Sequence, residues 1–433
     1  MTELMITIAP SKDHFIRNGK KTFILADTVW TGLSNASETE WDAYLDYRRM
    51  QNYNALQLSV LQQWDGGAPD SGLYPFALKE NGFFDYNRLN AEYFSRALKL
   101  LTKAVETGFI PMLIILHASY TAGTWAVKDR PEAVMPLDVV KSYSEYAANM
   151  FKHLNPIYIV AGDTNFNDEK TNLYFRTALE SVKKADPSGL TCFHLTAGAD
   201  LPDEFVKSPL LDFYILQPGH RGDKTCMAYG LIQEYYQKTE KRPIVNGEFF
   251  YEGHSYTQEL YGRYNAFDQR RAMWQSVLAG AKAGIGYGAQ GLWGWYRQGK
   301  EFGNEGYGGK AFPWHVALNF KGAWEGSFLK YIFDQYDLFD IEPAEIILNT
   351  HELQRKEIRA AKSADNRKIV IYMPFAEEIT VAGDLSVYDF TAVDMSEKHF
   401  AKPHISCSPE KSVIRMPDFN SDGLYIGVCG KTP

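Results

Sequence analysis

The chain has 433 residues, 45% of them apolar and 23% charged, enough to bury a substantial core and more than one domain usually holds. Its 45 basic and 53 acidic residues give a formal charge of -8 with no long basic block, which excludes a phosphate-tracking face and makes nucleic acid an unexpected partner. No stretch approaches the ~18 consecutive apolar residues of a membrane span, so no membrane partner is expected.

Met1 to Asp13 lacks a basic segment followed by an apolar run. A cytoplasmic location is therefore the default expectation, with a secreted or periplasmic one for a chain trimmed of its leader. Cys192, Cys226, Cys407 and Cys429 show no C-x-x-C spacing, which points to buried thiols rather than a zinc site or a disulfide framework. Aromatics reach 14%, a content that suits stacking on sugar rings as well as a large core.

In chain order, His14 to Leu25 reads as two alternating runs joined by Asn18-Gly19, the pair that closes a type I′ hairpin. Phe23 to Trp30 follows as a buried strand, and Ser37-Glu-Thr-Glu40 has the spacing of a capping box opening a helix to about Gln51. The strand–helix unit then recurs. Further strands are expected at Ala55–Leu61, Ile110–His117, Ile157–Asp163, Leu190–Thr196, Phe213–Pro218, Ile244–Phe250 and Ile285–Trp293. Helical periods fall near Asn90–Thr107, Leu137–Leu154, Thr171–Ala185, Thr225–Thr239, Asp268–Ala283 and Ala317–Tyr331, while the link between the fifth and sixth strands is too short for a long helix.

Eight strands in βα alternation favour a (β/α)8 TIM barrel over an open sheet. No Gly-x-Gly-x-x-Gly follows the first strand and no Gly-Lys-Ser/Thr loop occurs, which removes the main support for a dinucleotide fold or an NTPase. Three post-strand connections are long, Gln62–Arg88, Ala118–Pro136 and Gly294–His315, and in a barrel they belong to the catalytic face. Past about Asp340 the pattern changes to short alternating runs, with strands expected at Ile346–Leu348, Lys368–Met373, Ile379–Ala382, Val387–Phe390, Val413–Met416 and Leu424–Cys429. The expected organisation is a barrel with its N-terminal hairpin over 1–340 and an antiparallel β-sandwich over 341–433, bracing the barrel through a short linker.

Two strands share one grammar. Pro156-Ile-Tyr-Ile-Val-Ala-Gly-Asp163 and Pro243-Ile-Val-Asn-Gly-Glu248 both start on proline and end on a glycine–carboxylate pair. As the fourth and seventh strands they would hold two carboxylates across one mouth, the arrangement that glycosidases use, with the separation deciding between retention and inversion. Each carboxylate could instead be a structural hydrogen-bonding group; the pairing favours the catalytic reading.

Phe23-Ile-Leu-Ala-Asp-Thr-Val-Trp30, Ala161-Gly-Asp163 and Asn246-Gly-Glu248 resemble the apiosidase-like glycoside hydrolases, glycoside hydrolase family 140, formerly a domain of unknown function. The resemblance covers about Ile6 to Tyr331, and the trailing β region matches the family's usual layout. It implies a retaining TIM-barrel hydrolase in which Asp163 is acid/base and Glu248 is nucleophile, with no cofactor. The chain departs from the family's common Gly-Gly-Asp with Ala161-Gly162-Asp163, from its Trp-Gly near the end of the third strand with His117-Ala118, and from its Trp-Tyr-Pro-rich turn with Val387-Tyr388-Asp389-Phe390.

Other strand ends supply candidate sugar-binding groups: Asp27, Trp30, Gln57, Trp64, His117, Gln217, His220 and Trp293. Asp27 could instead cap a neighbouring loop, and the tryptophans could be core. His117, His194, His220 and His254 also lie near strand ends and raise metal-dependent hydrolysis as a rival, although no His-x-His or His-Glu-x-x-His occurs. The expected function is a retaining glycoside hydrolase acting on a plant or microbial polysaccharide fragment. A catalytically silent carbohydrate-binding barrel is the reading from another class, and the oligomeric state is left open.

Overall fold

The computed structural model describes residues 5–63, 67–220, 227–257, 260–352, 357–415 and 421–430. Eight parallel strands close into a barrel: Ile24–Thr28, Ala55–Ser59, Ile110–His117, Ile157–Thr164, Thr191–Leu195, Tyr214–Leu216, Ile244–Asn246 and Gly284–Tyr287, called here the first to eighth barrel strands. Each coincides with an expected strand. The first, second, fifth, sixth, seventh and eighth are shorter than expected.

The helices between them follow their sequence signals. Ser37 caps Glu38–Met50, its Oγ accepting the Glu40 amide at 3.3 Å while Glu40 Oε2 accepts the Ser37 amide at 2.9 Å, so two orphan donors are satisfied reciprocally. Ala91–Glu106, Leu137–Phe151, Glu169–Ala185, Met227–Tyr236, Ala266–Leu278 and Gly322–Gln335 cover the rest of the ring, with only Asp203–Val206 between the fifth and sixth strands. The expected start of the sixth-strand helix at Thr225 lies outside the described residues. Phe15–Arg17 and Lys20–Thr22 pair across Asn18 and Gly19, whose φ values of 52° and 73° are those of a type I′ turn, and Ile6–Ile8 adds a third strand.

The C-terminal region forms two antiparallel sheets. The larger runs Ile341–Pro343, Arg359–Ser363, Lys368–Met373, Gly423–Cys429, Tyr388–Asp394 and His399–Ala401 in spatial order, and the smaller runs Ile379–Ala382, Lys411–Arg415 and His404–Cys407. Ile346–Leu348 is not a strand; Ile347 makes only an isolated bridge to Val381. Ile341–Pro343, Arg359–Ser363, His399–Ala401 and His404–Cys407 escape the sequence pattern, being short or interrupted by charge. Met416 lies outside the described residues.

Alternation along Lys368–Met373 gives the larger sheet two apolar faces. Ile369 and Ile371 join Val381 and Ile414 between the sheets, whereas Val370, Tyr372, Leu424 and Ile426 continue the core that surrounds the barrel, against helix Ala266–Leu278. Of the cysteines, Cys192 is buried as expected, but Cys429 is half-buried and Cys407 is exposed on an edge strand; Cys226 lies outside the described residues.

Candidate active site

Local chain geometry explains why glycine precedes each carboxylate. A Cβ on Gly162 would stand 2.6 Å from Ile114 Cγ2 and 3.2 Å from the His117 ring, and one on Gly247 would stand 2.3 Å from Ile215 Cγ1. Only a residue without a side chain lets the fourth and seventh strands pass that closely before presenting Asp163 and Glu248. Asp163 has φ 46°, the left-handed region, which a non-glycine residue adopts at a cost of order 1–3 kcal/mol. Its carbonyl accepts the Trp125 indole N–H at 2.9 Å, a bond that helps hold this conformation.

Asp163 and Glu248 line one cavity of about 400 Å³ at the barrel mouth. Trp30, His117, Gln217, His220 and Trp293, expected as binding groups, line it too. Asp27 and Gln57 are not among its lining residues. The Asp27 carboxylate is buried on the helix side of the first strand, accepting Arg48 Nε at 2.6 Å and Tyr44 Oη at 2.7 Å, because an inward-facing position would have left Arg48 without a counter-charge. Gln57 lies below the mouth, its Nε2 donating to Thr28 Oγ1 at 3.0 Å and to the Gly247 carbonyl at 2.8 Å, which ties the first, second and seventh strands together. Trp64 lies outside the described residues.

Glu248 is buried yet surrounded by donors. Gln217 Nε2 donates to its Oε1 at 2.9 Å, and His220 Nε2 lies 3.0 Å from the same oxygen. His220 Nδ1 accepts the Tyr251 amide at 3.2 Å, so the imidazole proton sits on Nε2, which donates a hydrogen bond to Glu248. The Tyr251 hydroxyl favours the charged form of Glu248 and accepts the Trp30 indole N–H at 2.9 Å. His194 Nε2 lies 3.5 Å from the other carboxylate oxygen.

The electrostatics follow from this packing. Burial raises the Glu248 pKa, and His194, Tyr251 and Gln217 pull it back by favouring the charged form. Burial depresses His117 to about 4 and His220 to about 3, so both are neutral imidazoles at any ordinary working pH. His117 Nδ1 accepts the Ser119 amide at 3.1 Å, which leaves its proton on Nε2. His254 Nδ1 donates to the Ser255 carbonyl at 2.6 Å, and its buried Nε2 has no hydrogen-bond partner among the described residues. Gln217 Oε1 is likewise buried and unpartnered. The cavity thus holds one buried acceptor on each of these side chains, beside aromatic walls from Trp30, Trp293 and Tyr307.

The cavity also contains residues that strand-end reasoning did not assign to sugar binding. Gln63, Trp125 and the pair Asn304 and Tyr307 come from the three long connections expected on the catalytic face, one contribution from each. Tyr251 closes the stretch that carries Glu248. His194 and His254, expected as possible metal ligands, stand in the cavity wall, but among the described residues no three His, Cys, Asp or Glu side chains are grouped to hold a metal ion. Of the histidines, His220 has both ring nitrogens committed, one to Glu248 and one to the Tyr251 amide.

The apiosidase-like catalytic domain family matches residues 10–340. No protein of curated function matches in sequence. In fold, the chain is similar to a solved structure described as a glycoside hydrolase, at TM-score 0.80 and 18% identity over 99% of this chain and 98% of that one. It is similar also to a glycoside hydrolase family 5 protein from Bacteroides vulgatus ATCC 8482, at TM-score 0.79 and 20% identity over 98% and 93%. A mannosidase of family 5 from Rhizomucor miehei aligns at TM-score 0.52 and 13% identity, over 76% of this chain and 99% of that one. A (β/α)8 barrel with a trailing antiparallel sheet region, a mouth holding Asp163 and Glu248, and a family match spanning the barrel lead to one assignment: the chain belongs to the apiosidase-like family and is a glycoside hydrolase.

Proposed function

We propose that the enzyme cleaves a glycosidic bond in a plant or microbial polysaccharide fragment with retention of anomeric configuration, using Glu248 as nucleophile and Asp163 as acid and then base. The observation that carries this reading is the set of donors on Glu248. Gln217 and His220 hold a buried carboxylate in place by hydrogen bonds, and Gln217 and Tyr251 favour its charged form against the burial that raises its pKa, as a nucleophile requires and a general acid does not. Asp163 is more accessible and stands on the fourth strand, three places from the seventh around the closed ring.

In the first step a Glu248 oxygen forms a bond to the anomeric carbon as the bond to the leaving oxygen breaks, and the Asp163 carboxyl proton passes to that oxygen. In the second, Asp163 takes a proton from water, whose oxygen attacks the anomeric carbon and releases Glu248 as carboxylate. Tyr251, His220 and Gln217 solvate the carboxylate at the start and end of the cycle without leaving their places. The unpartnered acceptors on His254 and Gln217 fit sugar hydroxyl donors.

The test is a panel of aryl glycosides and pectic oligosaccharides, with products followed by NMR from the first turnover. The expected result is a retained anomer, and a loss on the order of a thousandfold in kcat for Glu248→Gln and for Asp163→Asn on oligosaccharides. Turnover that survives loss of Glu248, or an inverted first product, would overturn the mechanism.

A further inference from the structure

We infer that the open groove beyond Trp125 binds the leaving-group sugar, with the Trp125 indole serving both as the platform of that subsite and as the clamp on Asp163. This rests on the reading of Asp163 as the acid.

Trp125 borders two spaces. One is the catalytic cavity; the other is a groove of about 480 Å³ whose polar lining includes Asn165, Asn167, Lys128 and Lys170. Trp125 is 51% exposed, which is uncommon for so large an apolar side chain, and yet its N–H is fixed on the Asp163 carbonyl. An exposed indole held in one orientation offers a flat face at little entropic cost, the property that sugar stacking needs.

The segment under it is anchored from several sides. Thr124 Oγ1 donates to the carbonyls of Ala118 and Thr121 at 2.7 and 2.9 Å, and Thr171 Oγ1 donates to the Ala122 carbonyl at 2.9 Å. Gly123, at φ +83°, is pressed so closely on Thr171 that a Cβ would come within 2.3 Å of its hydroxyl. The platform is therefore part of a built wall. Asn165 supplies an independent sign of a ligand, since its Oδ1 is buried and has no partner among the described residues, as if awaiting a hydroxyl donor.

The side of the cavity decides which sugar lies there. The general acid must approach the oxygen that departs, so the ring attached to that oxygen lies next to Asp163. Glu248 and its donors, with Trp30, Tyr251 and His254, form the other, more enclosed side, where the attacked ring is held. The groove opens on the Asp163 side, and Lys128, Lys170 and Asn167 offer donors to the hydroxyls of a ring stacked on the indole.

The test compares, for one glycone, an oligosaccharide with a sugar leaving group and the corresponding 4-nitrophenyl glycoside, which has no second sugar to place. Trp125→Ala is expected to lower the ratio of oligosaccharide to aryl kcat/KM by about tenfold or more, and Asn167→Ala with Lys170→Ala by about threefold through KM. Trp125→Phe keeps the platform and loses the N–H; it should lower kcat on the oligosaccharide and spare KM. These side chains are exposed, so a fall in melting temperature would not explain a change in the ratio. Variants that slow both substrates equally, or neither, overturn the subsite. Persistence of activity in Asp163→Asn on both substrates would instead overturn the assignment of the acid, and this inference with it.

Discussion

His220 donates a hydrogen bond from its Nε2–H to Glu248 Oε1 across 3.0 Å, and no other tautomer of that imidazole is compatible with its surroundings, because Nδ1 is already occupied as acceptor by the Tyr251 amide. One ring thereby fixes the Glu248 carboxylate and the backbone of the residue three positions later, whose hydroxyl favours the charged form of that carboxylate. The consequence is a carboxylate whose lone pairs toward the wall are satisfied before substrate arrives.

Removing that ring should be costly twice. His220→Ala deletes a hydrogen bond to a charged group, worth about 1.5–3 kcal/mol, and should lower kcat/KM by about 10–100-fold. It also strands a buried amide, so the melting temperature should fall as well. His220→Gln, which can restore one donor, should recover part of the activity; equal losses for both variants would show that the ring's hydrogen bond is not what matters.

The acidic limb of the pH–rate profile carries a second prediction. Burial raises Glu248, and the proposed role as nucleophile requires it ionised, so kcat/KM should fall as pH drops through a value above that of an ordinary carboxylate. Gln217→Ala removes a donor that favours the charged form and should move the limb upward by about one unit. His220 and His117, held near about 3 and about 4, remain neutral through this range and add no inflection of their own. A limb that moves downward in Gln217→Ala would contradict the reading.

Much of this was legible in the sequence for identifiable reasons. The eight strands show because parallel strands buried on both faces are uninterrupted apolar runs, and Asp163 and Glu248 show because each ends such a run after a glycine. Asp27 misleads for the same reason: it too ends an apolar run, but its partner Arg48 lies 21 residues along on a helix whose inward face only the fold reveals. Trp125 is invisible to pattern because it sits on a short turn of 3-10 helix in a long connection, where neither period applies. The edge strands of the C-terminal sheets fail likewise, since His399–Ala401 and His404–Cys407 are too short and polar to alternate clearly.

The placement of Asp27 makes a third prediction. Arg48 is fully buried beneath the Tyr44, Tyr53 and Tyr287 rings, so neutralising its counter-ion leaves an uncompensated charge in the core. Asp27→Asn should destabilise the protein by about 3–5 kcal/mol in denaturant titrations. Below the unfolding transition its KM should match that of the parent, since Asp27 does not line the cavity. A raised KM with unchanged stability would return Asp27 to the substrate-binding residues.

The last prediction concerns how the C-terminal sheets hold the barrel. Arg270, on helix Ala266–Leu278, donates Nε and an Nη to the two oxygens of Asp422 at 2.7 and 2.5 Å, Tyr372 Oη adds a bond at 2.8 Å, and Arg270 reaches Glu325 at 3.1 Å. Burial alone would raise the Asp422 pKa, but the hydrogen bonds and charge of Arg270 outweigh it and the net shift is downward. A depressed carboxylate stabilises the fold above its unfolded pKa, near ~4, and that stability is lost as pH falls through the lower folded value. Asp422→Ala should therefore cost about 3–5 kcal/mol at neutral pH, and the gap to the parent should narrow as both are acidified below ~4. Because Val370, Tyr372, Leu424 and Ile426 complete the core around the barrel, a chain ending at residue 340 should be insoluble or bind a hydrophobic dye, rather than retain full activity. A soluble, fully active 1–340 fragment would show instead that the barrel closes its core without the sheets.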